Sequence, residues 1–168
     1  MKSNYKTPMV IAEIGCNHKG EMNIAKELLL IASQCGVEVA KFQKRNNKEL
    51  LTEEQYNTPH PNPMHSYGDS YGAHREFLEF DVNQHQELKE HAESLGIIYS
   101  TSVWDTASAK EIISLNPELI KVPSACNNHF EMLKVLRDDY QGEVHISFGM
   151  TTKGEEEEIV SFFEDANQ

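Results

Sequence analysis

Ile31-Ala32-Ser33-Gln34-Cys35-Gly36-Val37-Glu38-Val39-Ala40-Lys41-Phe42 is the stretch on which the fold turns. Upstream and into it, Ile24, Leu28, Ile31, Ala32 and Cys35 recur at helical spacing and form one apolar helix face. Gly36 stops that helix, and the β-branched run that follows reads as a strand. The passage repeats. Leu88, Ala92 and Leu95 lead to Gly96 and Ile97-Ile98-Tyr99-Ser100-Thr101, and Met132, Leu133 and Leu136 lead to Gly142 and Glu143-Val144-His145-Ile146-Ser147. In between, Asp105 caps a helix carrying Ala109, Ile112 and Ile113, Asn116-Pro117 ends it, and Leu119-Ile120-Lys121-Val122 is strand. Asn127 or Asn128 stands where a cap for the next helix is wanted. With Met9-Val10-Ile11-Ala12-Glu13-Ile14 in front and a helix over 153–164 behind, the chain holds five βα units. Apolar strands alternating with helices predict an α/β fold with a parallel sheet covered by helices.

Composition narrows the partners. The 168 residues, 39% hydrophobic and 25% charged, suit one globular domain. Fifteen Lys and Arg against 27 Asp and Glu give a net charge of −12, which excludes a nucleic-acid or anionic-membrane binder needing a basic footprint. No signal-peptide core precedes Pro8, and the longest apolar run, Leu28-Leu29-Leu30-Ile31-Ala32, is too short for a membrane span. Three cysteines without CxxC spacing argue against a disulfide framework or zinc ribbon, so a reducing cytoplasm is expected.

The stretch 44–81 breaks the rhythm. It contains Thr58-Pro59-His60-Pro61-Asn62-Pro63, which cannot be helix interior, and then Tyr67 to Glu76 with aromatics and paired charges. A loop this long in a compact domain is expected to be functional.

Ligands of parallel α/β folds bind at the carboxyl ends of the strands. Here those ends carry Glu13 followed by Asn17 and His18, then Lys41 and Gln43, then Ser100, Thr101 and Ser102, then Lys121 and Ser124, then Ser147. Lysines inside apolar strands need an anionic partner: a phosphate or carboxylate ligand held with nearby hydroxyls, or an internal acid such as Glu13. Schiff-base chemistry is a further use for such a lysine. Glu13 suits acid/base work or a hydrogen bond to a metal's ligand, and His18 suits a ligand or a substrate hydrogen bond. No HxH, HExxH, P-loop or GxGxxG occurs.

Ile11-Ala12-Glu13-Ile14-Gly15-Cys16-Asn17-His18-Lys19-Gly20 and Ala40-Lys41-Phe42-Gln43 resemble the opening of the sialic acid synthase family, whose members make N-acetylneuraminic, legionaminic, pseudaminic and spore-coat sugar acids. Ser100-Thr101-Ser102-Val103-Trp104-Asp105, Ile120-Lys121-Val122-Pro123-Ser124-Ala125, Ile146-Ser147-Phe148-Gly149-Met150 and Tyr71-Gly72-Ala73-His74-Arg75-Glu76 continue the resemblance in order. It implies a TIM-barrel-type fold, here about five of eight βα units, so that residues 1–168 would be the N-terminal portion of the catalytic barrel, without the family's antifreeze-like domain. It also implies condensation of phosphoenolpyruvate with an N-acylmannosamine-type sugar or its 6-phosphate, helped by a divalent manganese or magnesium ion, in a homodimer. By that resemblance Glu13, Lys41 and Lys121 are catalytic, and Gln43, Tyr71, Arg75, Ser102, Ser124, Ser147, Asn17 and His18 bind substrate, while the metal ligands lie outside this chain. Ser124-Ala125-Cys126 departs from the Ser-Gly-Glu of many relatives, leaving no carboxylate there for proton transfer. A truncated or split non-catalytic fragment and a five-stranded flavodoxin-like phosphate-binding domain are the competing expectations.

Overall fold

A computed structural model describes residues 7–164. The strands β1 (Ile11–Gly15), β2 (Val39–Lys44), β3 (Ile98–Val103), β4 (Leu119–Val122) and β5 (Glu143–Ile146) form one parallel sheet in the order β1-β2-β3-β4-β5. Strictly sequential order is the winding of a TIM-type barrel. A flavodoxin-like sheet reverses direction after its second strand, and this one does not, so that alternative falls. Among the described residues the sheet stays open, with β1 and β5 each paired on one side.

Helices α1 (Met22–Gln34), α5 (Val82–Ser94), α6 (Thr106–Ser114), α7 (Phe130–Asp139) and α8 (Lys153–Glu164) connect or follow the strands. They cover one sheet face. Beside β1 to β3, Phe42, Ala40, Tyr99 and Ile14 pack against Leu29, Ala25, Leu88 and Ala92. Beside β3 to β5, Val103, Ile120 and Val122 pack against Ile112, Met132, Leu133 and Leu136. An open groove of about 700 Å³ between α7, β5 and α8 lies on this covered face, lined by Val144, Ile146, Phe148 and Ile159 together with Arg137, Gln141 and Glu164.

The core face of α1 differs from the sequence reading. Ala25, Leu29 and Ala32 are buried, whereas Ile31 is 47% exposed and Cys35 is exposed. The helix is turned by one residue, about 100°. Its apolar run surrounds the axis, so spacing alone does not choose the face. The small Ala25 and Ala32 let the backbone approach the sheet, and that choice exposes the larger Leu30 and Ile31.

Gly36 and Gly96 take φ of +74° and +73° and close paired Schellman bonds, Gly36 N–H to Ser33 and Val37 N–H to Ala32, with the equivalent pair from Gly96 and Ile97 to Glu93 and Ala92. Gly142 is not a third copy. Its φ is not positive, and its role is close approach: a Cβ there would sit 2.1 Å from Tyr140 Oη and 2.8 Å from the Glu118 carbonyl. Tyr140 cannot swing away freely, because its hydroxyl donates to the Pro117 carbonyl at 2.8 Å in a buried position. Asp105 caps α6 through Ser108 N–H, as the sequence suggests. For α7, neither Asn127 nor Asn128 is the cap. His129 takes that position without a side-chain bond, and Asn127 instead donates to the Ser147 carbonyl.

The stretch 44–81 is not a plain loop. It contains α2 (Asn47–Leu50), α3 (Glu53–Asn57), α4 (Tyr71–Phe77) and a 3-10 turn at Pro63–His65, each begun by a side-chain cap from Asn46, Thr52, Ser70 and Asn62. We predict that Gly142→Ala costs about 1–3 kcal/mol through overpacking. Gly96→Ala, with open space around its Cβ position, costs only about 1 kcal/mol of backbone strain. Thermal unfolding of both variants ranks them, and the reverse order contradicts the assignment.

Candidate active site

The register determines which side chains share the uncovered face. Glu13 pairs with Lys41 and Lys41 with Ser100; Gln43 pairs with Ser102, Ser102 with Lys121 and Lys121 with His145. Because side chains alternate along a strand, Glu13, Lys41, Gln43, Ser100, Ser102, Lys121 and His145 all point to the face opposite the helix-packed core. A β-bulge between Glu13 and Gly15 ends β1, and Gly15 at φ +58° keeps the strand end clear of Gln43, whose Nε2 would lie 3.2 Å from a Cβ there.

Lys41 is 7% exposed and donates to Glu13 Oε1 at 2.9 Å and to Ser102 Oγ at 3.4 Å. The internal-acid pairing is therefore realised for this lysine. The hydrogen bond from Lys41, reinforced by its charge and by that of Lys121, holds the Glu13 carboxyl below the usual range, so it is ionised at neutral pH. Lys121 is different. It is half-buried, and among the described residues it has no hydrogen-bond or ion-pair partner. Burial, followed by the like charge of Lys41, pushes its pKa down, while Glu13 and Cys126 act weakly the other way. Two ammonium groups against one exposed carboxylate leave a local positive excess within an acidic chain. That arrangement accepts an anion.

Hydroxyls border the lysines. Ser102 is 3% exposed, and Ser100 is fully buried with its Oγ unpaired among the described residues. Ser124 opens the 3-10 turn Ser124–Cys126, against Gly149, where a Cβ would lie 3.2 Å from Ser124 Oγ. Ser147 donates its N–H to the Val122 carbonyl, which brings the loops after β4 and β5 together. Cys126 is 8% exposed, and burial raises its pKa, so the thiol is neutral where a carboxylate is absent.

The remaining sequence candidates have local duties. Asn17 is exposed and donates to the Ile14 carbonyl at 2.9 Å. His18 is 2% exposed, stacked on Phe80 at 4.1 Å, with Nδ1 accepting the Gly20 N–H. Burial lowers its pKa to about 4, so it is a neutral packing residue of the β1–α1 loop. Tyr71 and Arg75 lie on α4, with the Arg75 guanidinium 5.6 Å from the Tyr71 ring; neither bonds to the lysine cluster. Among the described residues no three His, Cys, Asp or Glu side chains come together as metal ligands, so no chemistry is assigned to a metal here.

Spacing did not reveal Arg45. It is 4% exposed, its Nε and backbone N–H donate to Glu79 at 2.8 and 3.0 Å, its Nη2 donates to Cys16 Sγ at 2.8 Å, and its guanidinium lies 5.2 Å from the Trp104 ring centroid. This one residue joins the strand ends of β1, β2 and β3 to the end of the 44–81 stretch. Its signal in the sequence is only a third cation close behind Lys41 and Lys44.

Residues 28–168 match the NeuB family. The chain belongs to the NeuB family. Among its NeuB-related proteins, N-acetylneuraminate-9-phosphate synthase of Homo sapiens is 36% identical over 125 residues, 74% of this chain and 34% of that protein. N,N'-diacetyllegionaminic acid synthase of Campylobacter jejuni is 29% identical over 156 residues, covering 93% of this chain and 46% of its own length. The sialic acid synthetase crystal structure from Leptospira borgpetersenii superposes with a TM-score of 0.79 at 22% identity, covering 97% of this chain and 52% of that one. The chain thus spans between a third and a half of the length of these two NeuB relatives.

Sulfate, whose charge is constant from neutral to alkaline pH, reads the lysine pair directly. Because the Lys121 pKa is lowered, its cation is lost before that of an ordinary lysine as pH rises. We predict that sulfate affinity falls over that alkaline range, and that Lys121→Ala weakens binding roughly tenfold at pH 7 and flattens the dependence. Isothermal titration at stepped pH checks this; equal affinity in the variant removes Lys121 from the site.

Proposed function

We propose that this chain carries the phosphoenolpyruvate-binding part of an enzyme of sugar-acid biosynthesis. The reaction joins C3 of phosphoenolpyruvate to the aldehyde carbon of an open-chain N-acylmannosamine-type sugar, or its 6-phosphate, while water adds at C2 and inorganic phosphate leaves, so that a nine-carbon 2-keto acid forms. One observation carries the reading: a half-buried, unpartnered Lys121 stands beside the Lys41–Glu13 pair on the face that no helix covers. Family membership supports the same chemistry, since the named relatives are an N-acetylneuraminate-9-phosphate synthase and an N,N'-diacetyllegionaminic acid synthase.

In this reading Lys121 and Lys41 hold the phosphate and carboxylate of phosphoenolpyruvate, with Ser102, Ser124, Ser147 and the buried Ser100 hydroxyl as donors. Glu13, ionised because of Lys41, is suited to accept a proton rather than to give one. Cys126 as a neutral thiol offers no base, which leaves Glu13 as the carboxylate of the cluster. Gln43 at the end of β2, with Tyr71 and Arg75 of α4, are the residues proposed to meet the sugar.

The test combines binding and turnover. The 168-residue chain is titrated with phosphoenolpyruvate by isothermal calorimetry. It is then assayed for phosphate release with N-acetylmannosamine, its 6-phosphate and a diacetamido sugar as acceptors. We expect saturable phosphoenolpyruvate binding that Lys41→Ala and Lys121→Ala each weaken at least tenfold, and the acceptor that raises phosphate release identifies the sugar class. No binding of phosphoenolpyruvate by the folded chain overturns the proposal.

A further inference from the structure

We propose that the His60–His74 ring pair is an acid-sensitive fastening that holds the strap between β2 and α5 in its folded form. This inference goes beyond the proposed function and does not depend on it. The strap is fixed differently at its two levels. Its base is held by the buried Arg45–Glu79 pair and by Asp105, which accepts the Asn46 N–H at 2.7 Å. Its outer part carries few apolar anchors. Residues 59–65 are exposed except for a half-buried His60, and Met64 is 91% exposed.

What joins the proline-rich limb to α4 is a continuous chain of rings. Phe77 stacks on Tyr67 at 4.8 Å, Tyr67 on His74 at 5.6 Å, His74 meets His60 at 4.2 Å, and His60 meets Tyr71 at 6.1 Å. Around it, the Tyr71 N–H donates to the Thr58 carbonyl at 2.7 Å. The two central rings are the titratable links.

Their hydrogen bonds require at least one of them to be neutral. His74 Nδ1 accepts the Tyr67 N–H at 3.2 Å, so a proton on that nitrogen sets two donors against each other. His60 Nδ1 lies 2.8 Å from the Asn62 carbonyl and 3.1 Å from the Asn62 N–H. His60 therefore keeps a partner whether or not that nitrogen is protonated. His74, with the Tyr67 N–H on its Nδ1, has no such second partner. Burial, the His60 charge and then the Arg75 guanidinium lower the His74 pKa. Among the described residues no carboxylate is bonded to either ring, and Glu76 is engaged by the Tyr56 hydroxyl of α3 at 2.7 Å. Glu53, Glu54, His65 and Asp69 of the strap, and Lys48 and Glu49 of α2, are exposed and have no bond to either ring.

The sign follows. A histidine whose folded pKa is depressed takes up a proton on opening, so closure is complete above the unfolded value near 6.5 and weakens as pH falls below it. One proton taken up on opening shifts the equilibrium toward the open form as pH falls, by at most about tenfold at pH 5.5. Glu79 at the base has the opposite sign. Burial raises its pKa, so acid favours the closed base rather than opening it.

Hydrogen exchange followed by mass spectrometry at pH 7.5 and 5.5, corrected for intrinsic rates, tests the device on the whole chain. We expect a loss of protection of up to about tenfold in peptides covering 58–77, with peptides from β2 and β3 as the internal standard. His74→Gln removes the titrating ring and should abolish the loss, while His60→Gln leaves the acceptor of the Tyr67 N–H in place and should reduce the loss. Unchanged protection in the wild type at pH 5.5, a loss shared equally by β2 and β3, or a loss of the same size in His74→Gln overturns the proposal.

Discussion

The Lys41–Glu13 ion pair exists because the sheet has two faces of opposite character. Phe42 and Ala40 direct one side of β2 into the helix layer, and Lys41 between them must then emerge on the other side. A mostly buried ammonium there is tolerable only with a carboxylate, and the neighbouring strand supplies one at 2.9 Å. The same alternation brings Ser100, Ser102 and Lys121 to that face. Lys121, with Glu13 already engaged by Lys41, is left to whatever anion enters. The candidate site is therefore a consequence of strand register more than of any loop.

The 44–81 stretch is attached by polar contacts at Arg45 and Asn46 and, near its end, by burial of Leu78 and Phe80. Arg45 is the residue that ties it down, since its side chain and backbone reach Glu79, Cys16 and the Trp104 ring together. A buried ion pair of this kind contributes less to net stability than to the choice of one arrangement. Its geometry sets where α4, and with it Tyr71 and Arg75, stands relative to the strand ends. The helical segments of the strap are too short to be stable alone and rely on side-chain caps from Asn46, Thr52 and Ser70.

Much of this was legible in the residues. Gly36 and Gly96 marked true helix ends, because their positive φ is a local requirement that only nearby residues determine. Asp105 was recognisable as a cap for the same reason, and the strand-end lysines and serines stood out as polar groups in apolar runs. Gly142 looked identical to the other two glycines and was not, since its reason for being glycine is Tyr140 folding back on it. His18 looked like a ligand in a glycine-rich loop, yet it is stacked against Phe80, a ring far along the chain. Arg45 showed in the sequence only as a third cation behind Lys41 and Lys44, because its partners Cys16, Glu79 and Trp104 come from three separate segments.

By itself the sequence determined the order of helices and strands, the polarity of each strand, and the family-like motifs at the strand ends, all of which depend on residues close together in the chain. The tertiary structure decided which face of α1 is buried, that Lys41 is paired while Lys121 is not, and that the stretch between β2 and α5 is a fastened helical strap. Those outcomes depend on register and on burial by distant segments. A charge is satisfied or left free only by what surrounds it in space.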